Sequence, residues 1–178
     1  MNHLELFGKR QPSCSRHDET TFDHLGNATV QTQIERLSTA SGTGALTLST
    51  GRTQSAASWF DGFGRSIATA NYGTNGGVAL ARPATVPARS DNVLVTETKY
   101  DTATGRAFRT IDPAGKDHRT FVDALGRTTK TVANYVTGTL GANPDQDVTV
   151  EMTYHPSGQI ATLTAKNPTT GDQVTRYI

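Results

Sequence analysis

Five histidines and a recurring aspartate are the residues of this chain with the most chemistry in them. His3, His17, His24, His118 and His155 show neither an HxH nor an HxxxH spacing. Zinc sites need ligands that converge, so these histidines read as turn or exposed-strand residues. Cys14 is the only cysteine, which leaves no partner for an intrachain disulfide and no CxxC metal site. It lies in a polar segment and reads as an incidental thiol rather than a nucleophile. Asp101 and Asp123 would suit glycoside hydrolysis if they formed a facing pair of carboxylates. Their setting argues otherwise, because each is expected to sit on its own turn, engaged with its own backbone. No catalytic, metal-binding or cofactor-binding residue is predicted, no cofactor is expected, and the chain is read as a non-enzyme.

The setting is a repeat. "KYDTATGR" at 99–106 is echoed by "WFDGFGR" at 59–65, "FVDALGR" at 121–127 and "TFDHLGN" at 21–27. Asp101, Asp112 and Asp123 fall 11 residues apart. A turn of four or five residues plus a short strand fills that interval, so the chain reverses once per period and two periods make a hairpin. The residue before each aspartate closes a strand. The aspartate accepts an N–H two residues on, forming an Asx-turn. The glycine then takes the left-handed corner that other residues resist. Pro113 presets the first corner of its turn.

The predicted turn formers are Phe22, Asp23 and Gly26; Phe60, Asp61, Gly64 and Arg65; and Tyr100, Asp101, Gly105 and Arg106. Asp112, Pro113 and Gly115, then Asp123, Gly126 and Arg127, continue the series. Tyr154 and Gly158 close it, with His155 standing where the aspartate would be. The arginines open the following strand with their charge toward solvent or a neighbouring carboxylate.

Bulk properties agree with a turn-rich sheet. Of 178 residues, 34% are hydrophobic, and mean hydropathy is −0.48, low for a compact core of this length. Threonine is the commonest residue and glycine is plentiful, which favours strands and turns. Net charge is +1, so no general attraction to nucleic acid is implied. No apolar run is long enough to span a bilayer as a helix, and no signal-peptide core opens the chain.

Along the chain, 1–19 reads as an irregular polar lead-in and 20–178 as the repeat region. Long loops are expected at 38–54, with a short strand at 45–48 inside it, at 71–91 and at 137–147. Such insertions project from one edge of a repeating sheet. Val148, Val150, Met152 and Tyr154 alternate with Thr149, Glu151 and Thr153, the pattern of a half-buried strand. Strands are also expected at 127–136 and 160–166. The spacing at 30–38 fits a helix and a strand alike, and no helix is predicted. The last residues, Arg176 to Ile178, read as a strand without its turn, as in a fragment of a longer protein.

"YDTATGR", "IDPAGK", "VDALGR" and "FDGFGR", in their tandem spacing, resemble the YD repeats of Rhs (rearrangement hotspot) proteins. The same repeats occur in shell-forming components of bacterial insecticidal toxin complexes and in teneurins. The resemblance implies an extended, curved antiparallel sheet of tandem hairpins, one strip of a hollow shell. It implies a shell enclosing a toxin or other cargo polypeptide, in a large protein that is secreted or displayed at the cell surface. The partners implied are the remainder of such a polypeptide, or its cargo. The self-cleavage motif of that family, Asp-Pro-x-Gly-Leu, is not matched, since Lys116 follows "DPAG"; Asp112-Pro113 reads as a turn.

The functional expectation is therefore a structural YD-repeat module. The alternative is a cell-surface binding module for carbohydrate or a partner protein. Its ligand platform would be Trp59, Tyr72 and Tyr135, together with Phe60 and Tyr100. Cross-strand packing is the competing role for the same rings. Asn27-Ala28-Thr29 is a glycosylation sequon, relevant only in a eukaryotic secretory context.

Overall fold

The computed structural model describes residues 16–39, 46–47, 50–141 and 143–178. They form one all-β sheet of eleven strands in sequence order, each antiparallel to the next. The strands are β1 (Arg16–Phe22), β2 (Ala28–Arg36), β3 (Gly51–Phe60), β4 (Ser66–Asn71), β5 (Leu94–Tyr100) and β6 (Ala107–Ile111). They continue as β7 (Asp117–Val122), β8 (Thr128–Ala133), β9 (Val148–Tyr154), β10 (Ile160–Ala165) and β11 (Gln173–Arg176). The one helical element among the described residues is a 3-10 turn at Asn75–Gly77. The segment with ambiguous spacing at 30–38 is mostly β2. β1 begins at Arg16, so the last four residues of the expected lead-in are strand, paired with Glu35 to Thr32 of β2. His3, Cys14 and the short strand expected at 45–48 fall outside the described residues, apart from Leu46 and Thr47.

Because the sheet is a meander, its connections alternate between two edges. One edge carries only short turns, at 23–27, 61–65, 101–106, 123–127 and 155–159. The other carries the long connections between β2 and β3, β4 and β5, and β8 and β9, together with the turns at 112–116 and 166–172. The three predicted loops thus share one edge, although β3 already starts at Gly51.

The short-turn edge has a feature that the sequence did not announce. In each of its five hairpins the second strand carries one extra residue: Thr29, Ile67, Phe108, Thr129 and Ala161. The hairpins of the other edge keep an unbroken register. A bulge next to a turn raises the local twist and re-aims nearby side chains.

The core lies on one face of the sheet. Ala57, Trp59, Ala68, Ala70 and Val95 are buried together, with Ile67, Tyr72, Leu80, Val86 and Val93 packed against them. Register explains the cluster: Ala57 pairs with Ala70, Trp59 with Ala68, and Ala70 with Val95. Alanines beside the indole leave room for the β4–β5 connection to lie across the sheet. That connection is pinned by its own polar contacts. Trp59 Nε1 donates to the Pro83 carbonyl at 3.2 Å, and Arg82 Nε donates to the Ser58 carbonyl at 2.9 Å.

The alternation in β9 has the expected period, but its buried side at the start of the strand is the opposite one. Thr149 is 4% exposed and Val148 is 41% exposed. Thr149 shares a register row with Val132 and Arg119. Tyr135, from the β8–β9 connection, lies with its ring 3.6 Å from the Arg119 guanidinium carbon. The Thr149 hydroxyl donates to the Asp147 carbonyl at 2.7 Å, so the segment before β9 satisfies the polar group buried there.

Candidate functional site

The short-turn edge brings most of the predicted residues together. In the five-residue turns the aspartate acts as foreseen. Asp61 Oδ1 accepts from the Phe63 and Arg65 amides at 2.9 and 3.0 Å. Asp123 Oδ1 accepts from Leu125 and Arg127 at 2.9 Å each, and Asp23 does the same with Leu25 and Asn27. Gly26, Gly64, Gly105, Gly115, Gly126 and Gly158 all have positive φ. Asp112 repeats the turn on the opposite edge, accepting from Lys116 at 2.8 Å, with Pro113 directly after it. In the His155 turn only the backbone bonds remain, from His155 N to Gln159 O and from Gly158 N to His155 O.

The arginine and tyrosine of the motif act between turns. Arg65 Nε donates to Asp61 Oδ2 at 2.8 Å, and Arg65 Nη1 donates to the Gly105 carbonyl of the next turn at 3.1 Å. Its guanidinium carbon lies 4.4 Å from the centre of the Tyr100 ring. Tyr100 returns the contact, its hydroxyl donating to the Ser66 carbonyl at 2.9 Å. The arrangement recurs further along. Arg127 Nε donates to Asp123 Oδ2 at 2.8 Å and lies 4.5 Å from the Tyr154 ring centre, while the Tyr154 hydroxyl donates to the Thr128 carbonyl at 2.6 Å. Each complete unit is a clasp: aspartate holds arginine, arginine holds the next tyrosine, and tyrosine holds the backbone just after the arginine. The co-occurrence of "YD" and "GR" was the available signal for it.

The electrostatics fit this use. The Arg65 side chain lowers the Asp61 carboxyl below its usual value, helped by the turn amides. The Arg127 amide and side chain do the same for Asp123, and Thr104 does it for Asp101. These carboxylates are held ionised as acceptors, the reverse of the raised value a general acid needs. Asp101 and Asp123 are on neighbouring turns of one edge, each bound to its own backbone. Among the described residues no three His, Cys, Asp or Glu side chains gather as metal ligands.

Removing only the two tyrosine hydroxyls tests the clasp. Tyr100→Phe and Tyr154→Phe keep the ring over arginine and lose one hydrogen bond, so each is expected to lower stability by about 0.5–1.5 kcal/mol in denaturant titrations. Midpoints unchanged in both variants would count against the clasp.

The three rings proposed as a platform each make contacts of their own. Trp59 is 4% exposed beneath the β4–β5 connection, with Arg82 stacked 5.0 Å from its ring. Tyr72 packs against the same core. Tyr135 lies on Arg119, in the β8–β9 region. Trp59 is buried, and Tyr72 and Tyr135 are half-buried.

Sequence reasoning missed Asp147. It is 3% exposed and has φ of 53°. Its carboxylate accepts from the amides of Val136, Thr137 and Gly138 at 2.8, 3.0 and 2.9 Å, and from the Thr137 hydroxyl at 2.9 Å. Burial pushes its pKa up, but the converging donors outweigh burial and draw it from 3.8 down to about 2. A folded value below the unfolded one stabilises the fold in full above about pH 4, and the contribution fades as pH falls through about 2. Thermal melts between about pH 2 and 5 are expected to show a shallower acid loss in Asp147→Asn than in the wild type. Parallel slopes would refute this role.

No family model and no curated protein matches the chain. Among solved structures it is similar to a chain in the crystal structure of TcdB2-TccC3-Cdc42, at 13% identity and a TM-score of 0.40, covering 92% of this chain and 10% of that one. It is similar to a chain in the crystal structure of TcdB2-TccC3-TEV at 14% identity and a TM-score of 0.32, covering 90% and 11%. A third similarity is to a Photorhabdus luminescens Tc holotoxin pore, at 13% identity and a TM-score of 0.32, covering 90% and 10%. The chain spans about a tenth of the length of these three chains.

Proposed function

We propose that this chain is a non-enzymatic structural module, a strip of YD-repeat wall in a secreted or surface-displayed polypeptide that shields a toxin or other cargo segment. The observation that carries this reading is the clasp. Aspartate, arginine and tyrosine, the motif residues with chemical potential, are bound to one another and to the backbone. Sequence selected for such use builds a wall, whose action on cargo is steric: it keeps proteases and water from the enclosed chain. The supporting geometry is a sheet with only short turns on one edge and with the β4–β5 connection folded over one face.

Limited proteolysis tests the proposal. In the polypeptide that carries the strip, the cargo segment should resist trypsin far longer than the same segment expressed free. Arg65→Ala combined with Arg127→Ala should shorten that protection. Equal digestion of enclosed and free segments would reject the shielding role.

A further inference from the structure

The clasp has a gap. Along the short-turn edge, Arg65 meets Tyr100 and Arg127 meets Tyr154. Arg106 stands between them and reaches the next turn in the same way, donating from Nη1 to the Gly126 carbonyl. The position that should supply its ring is occupied by Val122, immediately before Asp123. Beside Val122 there is a cleft of about 340 Å³, whose lining includes Asp101, Arg106, Ala107, Phe108, Thr120 and Val122. Ala107 follows Arg106 as Ser66 follows Arg65 and Thr128 follows Arg127, and it is the Ser66 and Thr128 carbonyls that accept the tyrosine hydroxyls. Valine has no hydroxyl to bring to Ala107.

The charge at the cleft is suited to an aromatic guest. In the flanking clasps the arginine is neutralised by its own aspartate. The turn at 101–106 is one residue longer, and Asp101 Oδ1 accepts from the amide and hydroxyl of Thr104, both at 2.7 Å, while Oδ2, the oxygen that holds arginine in the flanking clasps, forms no ion pair with Arg106 among the described residues. Arg106 therefore presents its cation without that partner, and a cation of this kind attracts the electron-rich face of a ring. Phe108 and Val122 are 41% and 44% exposed, leaving apolar surface at the cleft for the guest to cover.

We propose that this cleft is a binding site for a tyrosine side chain of another polypeptide, with the ring against Arg106 and the hydroxyl donating to the Ala107 carbonyl. The flanking clasps are the template for this site, which is independent of whether the strip encloses cargo.

The test is a titration of the whole chain followed by amide chemical shifts. p-Cresol, the tyrosine side-chain analogue, is expected to shift Ala107, Phe108, Phe121 and Val122 saturably, with a dissociation constant of about millimolar order for so small a ligand. N-acetyl-tyrosinamide should move the same amides, and toluene should bind several-fold more weakly because it lacks the hydroxyl. Val122→Tyr should fill the cleft, abolish p-cresol binding and raise the melting temperature. Arg106→Ala should weaken p-cresol binding several-fold, and it decides the matter if the tyrosine variant does not fold. Absence of saturation, equal binding of toluene, exclusion of the tyrosinamide while p-cresol binds, or wild-type binding in Arg106→Ala would each overturn the proposal.

Discussion

Trp59→Ala is expected to destabilise the protein by about 3–5 kcal/mol, the range for truncating a large buried aromatic. In a chain of this size that corresponds to a fall in melting temperature of roughly 6–20 °C. The indole is 4% exposed and anchors both sheet and loop. It packs with Ala57, Ala68, Ala70 and Val95, and its N–H holds the Pro83 carbonyl. Truncation leaves a cavity flanked by alanines, which have no side chain to swing into the space, so relaxation recovers little. Trp59→Phe separates the contributions, since it keeps an aromatic body but loses the hydrogen bond to Pro83, and it should cost less than the alanine. The experiment also discriminates between functions. A ligand-platform tryptophan would lose binding on truncation while the melting temperature stayed near wild type; a core tryptophan lowers the melting temperature itself. Trp59 is the only tryptophan, so its fluorescence reports directly on the loop–sheet contact. If Trp59→Ala melts like the wild type, the β4–β5 connection is not a structural cover and the core assignment fails.

The turns were legible because their physics is local. An aspartate that caps an amide two residues on, and a glycine that takes positive φ, are recognisable from five consecutive residues. Asp61 with Gly64 and Asp123 with Gly126 show this directly. The meander followed from the same spacing, since short turns can join only antiparallel neighbours. The illegible features depend on contacts far apart in the chain. The Tyr100 hydroxyl and the Ser66 carbonyl are 34 residues apart, and Tyr154 and Thr128 are 26 apart. The extra residues at Ile67 and Thr129 have no compositional mark. The buried side of β9 was misjudged for a related reason. Hydropathy favoured Val148, whereas Thr149 is the buried residue, its hydroxyl bonded to the Asp147 carbonyl.

The second large effect is expected at Gly126, and its value lies in comparison with Gly158. Both have left-handed φ, 77° and 88°. A Cβ on Gly158 meets nothing within 4 Å, whereas one on Gly126 collides with the Arg106 guanidinium. Gly158→Ala should therefore report backbone strain alone, about 1–2 kcal/mol. Gly126→Ala should cost only slightly more, because the Arg106 guanidinium, the free end of a flexible side chain, must move away from the Gly126 carbonyl that it now holds. Gly126→Val should be worst, at about 2–3 kcal/mol or above, since a branched Cβ resists positive φ most strongly. The strain and tether contributions separate in a double-mutant cycle. In an Arg106→Ala background the collision is gone and the tether is already lost, so Gly126→Ala should fall back to the Gly158→Ala value. Additive losses would mean that Arg106 swings aside freely and that the turn-to-turn tether contributes nothing. A Gly126→Val variant as stable as wild type would remove the left-handed glycine from the argument, and with it the reason this residue recurs in the repeat.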